Sequence, residues 1–247
     1  MPKVMINPGH GPGNANRGPT GYYEYQGMWA LANYLKAALE SRGVQADLTR
    51  RESENPDVEE RGLKAAGYDV YISEHSNAAN GQARGCEVYY SLRRPGDKVW
   101  AAKLSAAAAK AMGNPDRGAK TRLFPGTENI DYYGEIRSAA NTGCRHIFLC
   151  ESGFHDNLQD EAWLKSELNL IKLAQAQANV IMEILAASDT AGTPILGAPQ
   201  VATAQMQAWA RKRNAHQRFI DIAPVYMKYG KLTGIRPEVL YAQSAKE

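Results

Sequence analysis

His10 in INPGHG, Glu24 in YYEYQG, His75 in SEHSNA and Glu151 in CESGFHDN are the side chains of this sequence whose types could perform hydrolytic chemistry together. Two imidazoles and one carboxylate can hold a tetrahedral Zn²⁺ and leave its fourth position open to water, and a further carboxylate can take that water's proton. A purely structural zinc would leave no open position. Taken singly, each residue has a plainer reading. His10 can shape a Pro-Gly turn, His75 can be a satisfied buried histidine, and Glu151 can be an ordinary acid at a strand end. Their settings argue for more.

Those settings come from the elements around them. The apolar run Lys3 to Asn7, KVMIN, ends at Pro8-Gly9 and a loop rich in Gly, Pro and Asn, so His10 is expected just past the end of a strand. Glu24 precedes Met28, Leu31, Ala32, Leu35 and Leu39, the spacing of one helix face, with Gly43 as the stop. Glu24 thus falls in a helix's first turn. The runs DVYIS (Asp69 to Ser73) and HIFLC (His146 to Cys150) read as two more strands, with His75 just beyond the first and Glu151 at the tip of the second. Open α/β sheets place their sites at such carboxyl ends.

The same four passages resemble the zinc-dependent N-acetylmuramoyl-L-alanine amidases of the amidase 3 type, found in bacterial cell-wall hydrolases and phage endolysins. The resemblance covers about the first three quarters of the chain. It implies that His10 of the NPGHG-like loop, Glu24 at the helix start and His75 of the S-x-H-x-N segment are the metal ligands, and Zn²⁺ the cofactor. It also implies that Glu151 is the catalytic residue, because Glu151, Gly153, Phe154, Asn157 and Asp160 reproduce the family's E-x-G-F-x-x-N-x-x-D spacing. The implied substrate is peptidoglycan, cut at the amide between N-acetylmuramic acid and L-alanine by water activated on zinc, with Glu151 as general base. Two positions depart from the family pattern. Asn7 replaces the acid more usual before Pro-Gly, and Glu74 fills a normally apolar slot beside His75. Arg61 lies in an R-x-x-x-A pattern that the family shares.

Composition is that of a globular enzyme. The 247 residues are 44% apolar, and no stretch approaches the eighteen apolar residues of a membrane span, so no membrane insertion is expected. The opening MPKVMINPGHG lacks a charged region followed by an apolar one, and no signal peptide is read there. The three cysteines, Cys86, Cys144 and Cys150, lack metal-ligand spacing and are too few for a disulfide framework. Synthesis in a reducing cytoplasm is expected, with action on the bacterial cell wall after endolysin-like release. Charge is uneven. Val201 to Glu247 hold eight cations and three acids, a balance of +5 against +3 for the whole chain, which leaves −2 for the first 200 residues. Such a basic segment could favour a polyanionic wall surface or nucleic acid, but a solvated helix face is the plainer reading, and no nucleic-acid partner is expected.

Apolar runs near 3–7, 44–48, 69–73, 86–90 and 146–150 alternate with helical patterns near 24–42, 57–67, 95–112 and 161–187. Strands separated by helices predict an α/β fold: a twisted, mostly parallel sheet flanked by helices on both faces, with a helical C-terminal segment. Residues 1–187 read as the catalytic domain, 188–200 (SDTAGTPILGAPQ) as a linker and 201–247 as helices. The last piece is too short to bury Trp209, Phe219 and Tyr226 among its own helices, so packing on another surface is expected. Its passage GIRPEVLYAQSAKE resembles the opening of the lysozyme-like glucosaminidases, whose catalytic acid would fall at Glu247. The rest of such a domain is missing, which suggests a truncated chain without glycosidase activity.

Other residues have bland readings alongside. Cys150 with His146 or His155 could form a thiol nucleophile, but a buried free cysteine usually acts as a small hydrophobe. His146, His155 and His216 are expected at the surface or in the core. Tyr22, Tyr23, Tyr132 and Tyr133 could line a sugar groove or simply pack. Arg50, Arg51 and Arg61 read as salt-bridged structure. Two rival functions remain: a zinc carboxypeptidase, which needs a cationic pocket for a terminal carboxylate, and a catalytically silent wall-binding module. Oligomeric state is not legible.

Overall fold

The computed structural model describes residues 1–190 and 198–245, so most of the expected linker and Glu247 lie outside the described residues. The chain divides into two compact units, Met1–Ala186 and Ala187–Glu247.

In the first unit six strands make one sheet: β1 (Lys3–Pro8), β2 (Gln45–Leu48), β3 (Val70–Asn77), β4 (Cys86–Tyr90), β5 (Asp116–Lys120) and β6 (His146–Phe154). Their order is β2-β1-β3-β6-β4-β5, parallel throughout except where β4 meets β6 antiparallel. Between them run α1 (Glu24–Glu40), α2 (Val58–Leu63), α3 (Lys98–Met112), α4 (Gly134–Ala139), α5 (Leu158–Leu164) and α6 (Glu167–Thr190). This is the expected mostly parallel α/β sheet.

The side-chain alternation of the strands sorts the core into two layers. Val4, Ile6, Val70, Ile72, Phe148 and Cys150 point to one face, where Leu31 and Leu35 of α1, Leu104 of α3 and Ile181 of α6 cover them. Met5, Tyr71, Ile147 and Leu149 point to the other, under Ala65 and under Ile136 and Ala139 of α4. Central strands buried on both faces need near-continuous apolar runs, which is why these strands were visible in the sequence. Continued toward the strands' carboxyl ends, the second set becomes Asn7, Ser73, His75 and Glu151. The candidate residues His75 and Glu151 therefore occupy the same face as the smaller apolar layer, at its C-terminal edge.

The structure departs from the sequence expectation in four places. β5 and α4 carry too few apolar residues to announce themselves. The helix expected over 161–187 is two, because Asn157 caps α5 and the chain turns at Lys165-Ser166, where Asn169 Nδ2 donates to the Trp163 carbonyl. His75 and Glu151 lie within β3 and β6 and not beyond them. And α6 is, among the described residues, long and apolar enough to cross a membrane by composition, but half of it is buried, with Leu170, Leu173, Ala174, Ala178, Ile181 and Ile184 in the core.

The second unit holds α7 (Thr203–Lys212), α8 (Gln217–Asp221), α9 (Ala223–Thr233) and α10 (Pro237–Ser244). Trp209, Phe219 and Tyr226, the rings expected to need another surface, are only partly buried, whereas Tyr241 is almost fully buried among these helices. Phe219 stacks on it at 4.3 Å between centroids, and Tyr226 meets it edge-on at 5.4 Å. Met206, Ala210, Ile220 and Ala223 complete this small core.

Candidate metal centre and active site

The loop after β1 is shaped by close approach. A Cβ on Gly9 would lie 2.5 Å from the Glu74 carbonyl oxygen and under 3 Å from the His75 ring, so only glycine lets this backbone run against β3. Gly9 N–H then donates to the Glu74 carbonyl at 2.9 Å. His10 comes next with φ +56°, a left-handed conformation that a non-glycine residue adopts at a cost. Two buried arginines hold the turn. Arg61 Nη1 donates to the carbonyls of Pro8 (3.1 Å) and His10 (2.7 Å), and Arg50 Nε to that of Pro8 (3.2 Å). These arginines were expected in salt bridges; their work is instead to satisfy loop carbonyls, while Arg51 stays on the surface beside Glu54.

The loop brings His10 to Glu24, the first residue of α1, and β3 brings His75 to the same carboxylate. His10 Nε2 lies 3.1 Å from Glu24 Oε2, and His75 Nδ1 lies 3.0 Å from Glu24 Oε1. The nearest ligand atoms of the three all lie within 4.8 Å of one another. Zinc bonds of about 2.0–2.2 Å in a tetrahedron separate donors by roughly 3.5 Å, so two imidazole nitrogens and a carboxylate so placed suit that ion. Burial opposes ionisation of Glu24, but hydrogen bonds with His10 and His75 prevail and hold its carboxyl well below the usual range. Ser76 N–H (3.1 Å) and Asn16 Nδ2 (2.9 Å) fix its two oxygens.

Glu151 sits on β6 directly beside His75 in the strand register, and opposite Glu87 of β4. It lines the same cleft of about 370 Å³ as His10, Glu24 and His75. Its Oε2 is buried without a hydrogen-bond partner, an acceptor left unsatisfied beside a cleft that admits water. Burial pushes its carboxyl up to about 8, with His75 pulling the other way. The residues after it fix this stretch. Gly153 takes φ +77°, Asn157 Oδ1 caps α5, and Asp160 Oδ2 accepts from Phe154 N–H at 3.0 Å while Oδ1 accepts from Arg84. The motif thus supplies one buried carboxylate with an unpartnered oxygen and a scaffold that anchors its strand.

Sequence reasoning missed Glu135. It lies on α4, buried at the edge of the cleft, with Oε1 3.1 Å from His75 Nε2 and 2.7 Å from Ser73 Oγ, and Oε2 3.0 Å from Asn7 Nδ2. A lone acid on a six-residue helix carries no motif, so no sequence signal pointed to it. The two departures from the family pattern are both accounted for. Asn7 serves as a donor to Glu135, and buried Glu74, pushed up to about 7 by desolvation, accepts from Gln177 Nε2 of α6 at 2.9 Å on the opposite face of the sheet.

The remaining candidates also find places. Cys150 points away from Glu151, and burial holds its thiol well above the usual range, so no thiolate nucleophile forms there. His146 binds Asp97 at 2.7 Å, and His216 Nδ1 accepts from Arg218 N–H in the second unit. His155 does line the cleft, with Nδ1 donating to the Ser76 carbonyl at 2.9 Å. Of the four tyrosines, Tyr132 and Tyr133 line the cleft together with Arg122, whereas Tyr22 is buried against His155.

Residues 4–183 match the family described as N-acetylmuramoyl-L-alanine amidase, a span of nearly three quarters of the chain. The chain belongs to this amidase family. Among relatives, the amidase CwlM of Bacillus licheniformis is 27% identical over 183 residues, covering 72% of this chain and 67% of that protein. The sporulation-specific N-acetylmuramoyl-L-alanine amidase of Bacillus subtilis is 26% identical, covering 72% and 66%. The chain therefore spans about two thirds of the length of these two amidases. Among solved structures, the catalytic domain of the amidase CwlV from Paenibacillus polymyxa var. colistinus superposes with a TM-score of 0.63 at 26% identity, covering 75% of this chain and 99% of that one. Cwp6 from Clostridium difficile shares the fold with a TM-score of 0.67 at 24% identity, covering 74% of this chain and 29% of that one. The family match falls wholly within the first unit of this amidase chain.

Proposed function

We propose that this chain hydrolyses the amide bond between N-acetylmuramic acid and L-alanine of peptidoglycan, with zinc held by His10, Glu24 and His75 and with Glu151 as general base. The observation that carries this reading is the convergence of three ligand atoms within 4.8 Å beside a buried carboxylate whose Oε2 has no partner, in a chain of the amidase family. When bound, the ion supplies Lewis-acid chemistry, lowering the pKa of water to about 7 and polarising a carbonyl. Glu151 receives the proton of the attacking water and returns it to the leaving amine, a task for which a carboxyl raised toward neutrality is suited. Tyr132, Tyr133 and Arg122 border the substrate's path, the guanidinium lying 3.6 Å from the Tyr132 ring centroid.

Arg122 also offers the cation a carboxypeptidase would need, so the products decide between the two activities. Digestion of purified wall should release intact stem peptides with a new L-alanine amino terminus, and chelation should abolish the release until zinc is restored. Liberation of single amino acids would favour the carboxypeptidase, and wall binding without any release would favour a silent module. For residues 201–247 we infer the opening of a lysozyme-like glucosaminidase segment, supported by α10 over PEVLYAQS. New reducing ends in the same digest would reveal glycosidase activity of that segment.

A further inference from the structure

Glu135 borders the same cleft, and it meets His75 at Nε2, the ring nitrogen that does not face Glu24. The buried contacts around it can be followed donor by donor. Thr49 Oγ1 donates to Asn7 Oδ1 at 2.6 Å, since that oxygen can only accept. Asn7 Nδ2, with two hydrogens, donates to Ser73 Oγ at 2.8 Å and to Glu135 Oε2 at 3.0 Å. The Ser73 hydroxyl, having accepted from Asn7, donates its one proton to Glu135 Oε1 at 2.7 Å. Every hydrogen in this chain therefore runs toward Glu135. A carboxylate that accepts throughout requires the remaining neighbour, His75 Nε2 at 3.1 Å, to be a donor as well. With Nε2 held as a donor by Glu135, Nδ1, 3.0 Å from Glu24 Oε1 and facing His10, is the ring nitrogen whose proton a metal ion would displace to gain a lone pair.

We propose that Glu135 is the positioning residue of the metal site, setting the His75 tautomer that can ligate, and that Asn7 is its obligate donor. The inference rests on His75 as a zinc ligand and adds that the pair at positions 7 and 135 must be complementary: one member donates and the other accepts. Asn7→Asp would set two acceptors against each other beside Glu135. Glu135→Gln would set two amides together, and the amide that turns its oxygen to Asn7 turns its N–H₂ to His75. That reverses the tautomer and removes the Nδ1 lone pair from the metal. Combining the two changes restores one donor and one acceptor, now with opposite polarity. The new amide at position 135 then points its N–H₂ at the new carboxylate at position 7, and its oxygen accepts from His75 Nε2–H.

The test is zinc affinity of the full chain, measured by competition with a chromogenic chelator, for Glu135→Gln, Asn7→Asp and the double variant. Loss of a hydrogen-bond partner to a ligating histidine costs about 10- to 100-fold in metal affinity. Each single variant should fall in that range, and the double variant should recover most of the loss. Single variants that bind zinc as tightly as the parent, or a double variant no better than Glu135→Gln, would overturn the proposal. Nitrogen-15 spectra of the zinc-loaded parent protein need no variant to fold. The His75 ring proton should appear on Nε2, hydrogen-bonded and slow to exchange, and a proton on Nδ1 would overturn the proposal too. A parent chain that binds no zinc would instead overturn the metal assignment itself, so the two failures are distinct.

Discussion

At the scale of single residues, one face of three neighbouring strands turns from packing to chemistry just beyond its last apolar side chain. Leu149 packs, and Glu151, two positions on and pointing the same way, is buried with an unpartnered oxygen. Replacing it by Gln should keep the fold and the zinc while lowering turnover by roughly 10² to 10⁴. Zinc content measured with kcat checks this, and loss of both together would make Glu151 a ligand. Its ionisation also marks the stability of the metal-free protein. A carboxyl raised from an ordinary 4.5 to about 8 contributes stability fully present below about pH 4.5 and lost as pH rises through about 8. His75, held well above its ordinary range against burial by Glu135 and Glu24, changes in the same sense, so the Glu151→Gln comparison isolates the acid. The fall in Tm of metal-free protein from about pH 5 to about pH 9 should be shallower in that variant. Equal slopes would show that Glu151 is ionised at neutral pH. The four site residues were legible because each sits in a short run whose glycines and asparagines have geometric duties. Glu135 was not, since its function exists only through contacts with residues 60 and 128 positions away.

At the scale of elements, the site depends on how closely α2 and α4 approach each other. Gly62 on α2 is the point of contact. A Cβ there would lie 2.0 Å from Ser138 Oγ, 2.3 Å from the Glu135 carbonyl oxygen and 2.9 Å from Ala139 N. Two of those neighbours are backbone and cannot turn away. Gly62→Ala should push α4 off α2 and carry Glu135 away from His75, so Tm should fall and zinc should bind less tightly, although the close neighbours of position 62 include none of the three proposed ligands. A variant with lower Tm and unchanged zinc affinity would show that α4 can move without disturbing His75. The α2 helix lies within the pattern expected near 57–67, but neither α4 nor the approach of the two helices was readable beforehand. Long apolar runs and an extended stripe announce strands and a core helix, but GEIRSA and VEERGL are short helices whose partner is defined only by a glycine. The same limit hid β5, an edge strand of mostly polar residues paired on one side to β4.

At the scale of the whole molecule, each unit closes its own core. The first needs α6, whose buried stripe runs to Leu185, and the second encloses Tyr241 with rings from its own four helices. Charge and composition could divide the chain, but could not reveal that a stretch so short stacks Phe219, Trp209 and Tyr226 around one tyrosine, because those pairings depend on turns between helices and not on periodicity. This changes what removal of the C-terminal part should do. All three proposed ligands, Glu151, Glu135 and the buried stripe of α6 precede residue 187. A chain ending at Thr190 should therefore keep its zinc affinity and its rate on short soluble muropeptides within about twofold, a change of no more than about 0.4 kcal/mol. On insoluble wall the outcome tests the segment's contribution separately. If the basic balance of +5 over 201–247 aids adsorption to a polyanionic surface, the shortened chain should bind wall less and lose the difference as salt rises. Loss of zinc or of muropeptide cleavage in the shortened chain would show that the first unit is incomplete without the second.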